Sequence, residues 1–199
     1  RDSSVTGVQT CALPIWEALA ALVAGPGLAG SPAGADAVIE AYAKAALAEA
    51  RVATPGALYV EIYGDRLLRN FSARFADRVA GQGGQVYLGT YMHELQRPGQ
   101  GVPHCAEVPM LFSTYALDYY RSKLGAGPAE QRVSQRVIAV VASFASGRAV
   151  GFADGSIWPA YRQDKALSAR IAAGDGADVS IGGLPKRDQL AVWDALLGY

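Results

Sequence analysis

The sequence predicts an α/β domain with too few strands to be a whole one, and three observations carry that reading. Apolar residues recur at helical spacing in several separate segments. One short β-branched and aromatic run, Gln85 to Tyr91, stands between a glycine stop and a polar segment, as a strand with both faces covered does. The elements then follow in the order helix, helix, strand, loop, helix, helix, strand, strand, helix. The length of 199 residues, 51% hydrophobic and 18% charged, suits one globular domain and argues against disorder. Eighteen Lys+Arg balance eighteen Asp+Glu, so the basic footprint that nucleic acid or an anionic membrane would require is missing. The longest apolar run, Ala18 to Gly30, is too short for a membrane span and is broken by Gly and Pro.

Residues 1–15 are set apart from this reading. They carry neither the basic start nor the small-residue cleavage site of a signal peptide, and Val5 to Ile15 looks like a translated sequencing adapter of the kind fused to reading frames in environmental assemblies. The expectation is that 1–15 is an artefact, that 16–199 is the native part, and that the true N-terminus is missing. Localisation is therefore not legible, nor is oligomeric state. With Cys11 set aside, Cys105 stands alone and no intrachain disulfide is expected.

Trp16 to Ala24 is Ala/Leu-rich and helical in pattern. Asp36 to Ala50 places Val38, Ile39, Tyr42, Ala46 and Leu47 on one face behind an N-cap at Asp36. Thr54-Pro55-Gly56 breaks that helix. From Leu58 onward Tyr63, Leu67, Phe71, Phe75 and Val79 recur every four residues, predicting a buried stripe that Gly81 and Gly83-Gly84 end. After the Gln85 to Tyr91 strand and a Pro/Gly-rich loop, Pro109 to Lys123 begins apolar and ends charged. Ala129 to Gly147 reads as an amphipathic helix with Val133, Val137, Val140, Val141 and Phe144 inward. Ala166 to Ala172 and Val179 to Ile181 form a strand pair across Gly174-Asp175-Gly176, and Lys186 to Leu197 is a surface helix with Trp193 on its inner face.

Several motifs dissolve on inspection. Gly25 to Gly30 matches G-x-G-x-x-G, but a helical pattern precedes it where a dinucleotide site needs a strand, so it reads as an inter-helix loop. Asn70-Phe71-Ser72 is a glycosylation sequon in mid-helix, and no glycan is expected. His93-Glu94 and His104 with Glu107 match no metal-ligand spacing, so no metal is expected, and no organic cofactor either. No G-x-S-x-G elbow occurs; Asp178 to Gly182 comes closest and lacks the first glycine.

Gly101-Val102-Pro103-His104-Cys105-Ala106-Glu107-Val108-Pro109-Met110-Leu111-Phe112 is more informative. A histidine in a loop after a buried strand and ahead of a helix is where a general base can be both held and exposed. Taken alone, such a histidine is more commonly a surface or satisfied core residue. The segment resembles the catalytic-histidine loop of the type-B carboxylesterase/lipase family, the cholinesterase-like α/β-hydrolases, with its Gly-x-x-His-Gly-x-Glu pattern. Ile62 to Arg69 resembles the family's Asp- and Arg-flanked helix start, Val86 to Tyr91 its strand leading to the histidine, and Phe144-Ala145 to Gly147 with Trp158-Pro159-Ala160-Tyr161 its Phe-Ala-x-x-Gly to Trp-Pro-x-Tyr signature.

The resemblance covers residues 16–199 and implies the C-terminal portion of an α/β-hydrolase, with an incomplete central sheet and flanking helices. It implies a serine carboxylesterase acting on a small carboxylic ester through an acyl-enzyme, with His104 as the triad's proton carrier and Glu107 as a hydrogen-bonding group behind it. Serine, acid and oxyanion donors would stand upstream, which leaves the fragment alone inactive and its sheet edge prone to aggregation. A non-catalytic cholinesterase-like binding or adhesion domain is the alternative. Cys105 replaces the family's glycine, so either the backbone there avoids positive φ or the loop is shifted. Tyr91, Met110 and Phe112 are pocket candidates, with ordinary core the commoner meaning; the particular ester is not legible.

Overall fold

The computed structural model describes residues 15–94, 96, 102–152, 157–172 and 179–198. They divide into two compact units. One runs to Phe75 and resumes at Pro185; the other is Ala76 to Leu184.

The first unit is helical. Helix α1 occupies residues 15–23, α2 is Pro32–Ala48 and α3 is Pro55–Gly64. A π-helical turn follows over Asp65–Arg69 and leads into α4, Asn70–Gly81. Both proline-initiated helices begin on a capping hydroxyl: Oγ of Ser31 accepts the Gly34 N–H at 3.1 Å, and Oγ1 of Thr54 accepts that of Ala57 at 3.4 Å. The α2 start thus lies earlier than the expected cap at Asp36. Ser31 is the cap and Pro32 the first helical residue. Residues 25–30 do form the loop between α1 and α2, and the helical α1 stands where a dinucleotide fingerprint would need a strand.

Helix α2 packs against α3 and against α8, Arg187–Leu197. Val38, Tyr42, Leu58, Ile62, Leu190 and Trp193 are buried to 2% exposure or less, as expected for Trp193. Leu47 is a correction: it is 71% exposed, because Ala46 takes the inward position on the last turn. The stripe through Tyr63, Phe71 and Phe75 is a second one, since all three are exposed. The buried ladder of the unit runs Leu58, Ile62, Asp65, Asn70 and Ala73 instead. A step of five between Asp65 and Asn70 is the π turn, whose extra residue keeps Asn70 on the inward face; the expected stripe misses that face from its start, since Tyr63 ahead of the turn is already exposed.

A polar network closes this core. The Tyr42 hydroxyl donates to Oδ2 of Asp65 at 3.0 Å, and Nε1 of Trp193 donates to the Tyr42 oxygen at 3.1 Å. Lys186 Nζ lies 2.9 Å from Glu61 and 3.2 Å from Asp65, and Arg69 also pairs with Asp65. Burial, and then the Asp65 charge, push the Tyr42 phenol far above its ordinary range.

The second unit holds the sheet. Gly83, at φ +80, follows α4 as the glycine stop. Strand β1 is Gly89–Tyr91, β2 Leu167–Ile171 and β3 Val179–Gly183, in the order β1-β2-β3. The β1–β2 pair is parallel, with Tyr91 opposite Ile171; β2–β3 is antiparallel, with Ile171 opposite Val179. The expected hairpin partners therefore do pair, while the turn proposed for 174–176 lies outside the described residues. The ladder strand is shorter than Gln85 to Tyr91, although the carbonyls of Val86 and Leu88 still accept from Tyr161 (2.7 Å) and Ala169 (3.0 Å).

Helices α5 (Val108–Leu111), α6 (Asp118–Leu124) and α7 (Pro128–Ala145) complete the unit, with α7 packed on α5 and β2. Its core joins Met110, Leu124, Val133, Val137, Trp158 and Ala169. Val141 and Phe144, expected inward, are exposed; Val140 ends the buried face. Gly89 shows why a glycine interrupts the core strand. A Cβ there would stand 2.6 Å from Cη2 of Trp158, so the strand admits the indole only because this position has no side chain. Phe152 stacks on the same indole at 5.9 Å between centroids.

Candidate active site

The chain leaves the sheet at Tyr91, with the Met92 N–H still donating to the Ile171 carbonyl at 2.7 Å, and reaches helix α5 at Val108. His104 lies in the turn just before α5 and is exposed. The turn is built from backbone: the Ala106 N–H donates to the Pro103 carbonyl (3.2 Å) and the Val108 N–H to that of Cys105 (3.1 Å). Cys105 sits at φ +64, in the left-handed region. The first alternative offered for this residue, a backbone that avoids positive φ, does not hold. The backbone keeps a glycine-like conformation, and the cysteine carries a Cβ that costs about 1–2 kcal/mol there. Its thiol is free and exposed.

Glu107 is half-buried at the N-cap of α5, and its carbonyl accepts the Leu111 N–H at 2.9 Å. The structure brings it toward Tyr91 and does not hydrogen-bond it to His104 among the described residues. Burial, followed by the charges of Glu107 and Glu130, raises the Tyr91 phenol far above its usual range. The Tyr91 oxygen is buried with no hydrogen-bond partner among the described residues. Met110 is fully buried and Phe112 69% exposed, so of the three pocket candidates one is core and one is surface.

Sequence reasoning missed a second histidine. His93 is 8% and Glu130 4% exposed, and Nε2 of His93 lies within hydrogen-bond distance of Oε1 of Glu130, at 3.1 Å. The other carboxylate oxygen accepts the Gly127 N–H at 2.7 Å. Glu130 is the third residue of α7, and Gly127-Pro128-Ala129-Glu130 is the signal that could have placed it: an acid at N3 reaching back to the cap. His93, weighed in the sequence only as a metal ligand, gave no such signal. No group of three or more metal-ligating side chains forms among the described residues.

A mixed sheet with a parallel edge strand, helices packed on it, and a histidine turn between that strand and the next helix define part of an α/β-hydrolase fold. The carboxylesterase EST55 of Geobacillus stearothermophilus is similar to it, in crystal structures at pH 6.2 and pH 6.8. Each has a TM-score of 0.56, with 22% identity in the first and 23% in the second, and covers 68% of this chain. The chain spans 27% of the length of these neighbours. No protein-family model matches the sequence, and no curated protein matches it either.

Proposed function

We propose that residues 16–199 are the C-terminal part of a type-B serine carboxylesterase whose substrate is a small carboxylic ester, with 1–15 foreign to it. The observation that carries this reading is the exposed His104, held in a turn with a left-handed residue after it, between the edge strand of a hydrolase-type sheet and helix α5. Strand β1 has one paired edge in the described sheet, and the other is where further parallel strands would join.

In the complete enzyme His104 takes the proton from the serine hydroxyl as its oxygen attacks the ester carbonyl. It then gives that proton to the departing alcohol; water repeats the cycle, and its hydroxyl releases the acid from the acyl-enzyme. An upstream carboxylate would orient the ring, and Glu107 would support the turn from behind. No cofactor enters this scheme.

The test is to read the source DNA across the junction before Trp16, express the complete gene and assay a short-chain nitrophenyl ester. Hydrolysis that His104→Ala reduces by about 10⁴-fold or more supports the proposal. An intact reading frame whose elbow serine is replaced would make the binding or adhesion role the better reading, and hydrolysis unaffected by His104→Ala would refute the assignment of that residue.

A further inference from the structure

Both ends of the segment that carries His104 are tied to one helix. At the leaving end, His93 and Gln96 reach Oε1 of Glu130, at 3.1 and 3.5 Å. At the returning end, the Ser134 hydroxyl donates to the Met110 carbonyl at 2.6 Å and lies 3.3 Å from the Ser113 hydroxyl. Glu130 and Ser134 stand four residues apart on α7, hence on one face, and both are buried, at 4% and 2% exposure. The 2.7 Å bond from the Gly127 N–H anchors the carboxylate, so it cannot follow the loop.

We infer that Glu130 and Ser134 are positioning residues that set where the His104 turn sits, by holding its two roots one helical turn apart on α7. Neither touches the reacting atoms. The inference rests on the esterase reading for its consequence, since a proton carrier displaced by an ångström loses rate while substrate binding persists. The geometry itself does not depend on that reading.

The test separates the two. The chain holds two histidines and two cysteines, so a histidine-labelled Cys11→Ser protein reports His93, His104 and the Cys105 thiol individually. Glu130→Gln and Ser134→Ala should each shift the His104 ring resonances and change the rate at which Cys105 reacts with Ellman's reagent by about fivefold, the equivalent of about one net hydrogen bond. Val137→Ala weakens the core on the same helix without touching either root and should leave the Cys105 rate unchanged under native conditions. In the complete enzyme the same two variants should lower kcat with KM retained.

If Ser134→Ala fails to fold, Glu130→Gln alone decides. His104 and Cys105 signals unchanged in a folded Glu130→Gln protein would overturn the inference, as would a Cys105 rate that Val137→Ala moves equally. Absence of hydrolysis by the unmutated complete enzyme would refute the esterase reading and leave the His104 and Cys105 readouts to judge the positioning role.

Discussion

Each unit buries a carboxylate, and the two are satisfied by opposite means. Asp65 is held by side chains: the Tyr42 hydroxyl, Lys186 and Arg69, two of them permanent cations. Glu130 is held by a backbone N–H, an amide and an imidazole, with no Lys or Arg bonded to it among the described residues. The first arrangement fixes helices to one another and has little chemistry to offer. The second leaves the acid bonded to an imidazole and an amide at one root of the segment that carries His104. Burial of an acid is thus no indication of function until its partners are named.

The largest expected effect tests the side-chain-held unit. Trp193→Ala removes a fully buried indole and the donor to Tyr42, and should cost about 3–5 kcal/mol in urea unfolding. Gly89→Ala probes the sheet unit by placing a methyl against Trp158, with an expected loss of about 1–3 kcal/mol; a smaller loss would mean that the indole can move aside. Cys105→Gly should do the reverse and stabilise by about 0.5–1 kcal/mol, because glycine adopts φ +64 without strain.

The smallest effect is a pH dependence. Burial alone would raise the Glu61 carboxyl, but the hydrogen bond and charge of Lys186, and then Arg51, overcome this and hold it below its usual value. A lowered folded value means that the unfolded chain binds the proton first as pH falls. The contribution is present above about pH 4.3, the ordinary unfolded value, and is lost as pH drops through the folded one. Allowing for screening of a partly exposed group, this amounts to about 0.5 kcal/mol. Thermal midpoints measured between neutral pH and pH 3 should therefore fall less steeply in Glu61→Gln.

The fold class was legible because its signals are local: the break at Thr54-Pro55-Gly56, alternation at 167–171, glycine after α4 and α7. Trp193 was legible for the same reason, as one large ring on an otherwise polar helix. The stripe through Phe71 and Phe75 was misread from its start, because spacing alone does not say that Leu58 and Ile62, rather than Tyr63, hold the inward face. His104 was found by its setting in sequence, whereas His93 and Ser134 were not. Their partners lie 37 and 24 residues away, and only folding brings such distant pairs together.

The π turn at Asp65–Arg69 makes one continuous helix legible in two frames. Upstream of it the inward residues are Leu58 and Ile62; downstream, the frame shifts by one and polar Asn70 faces inward, leaving Phe71 outside. Removing a single residue from this turn would change the step of five into a step of four, so Asn70 would stay inward and Phe71 outside on a regular helix. A one-residue deletion would thereby remove the bulge while leaving the outer face of the rest of the helix as it is.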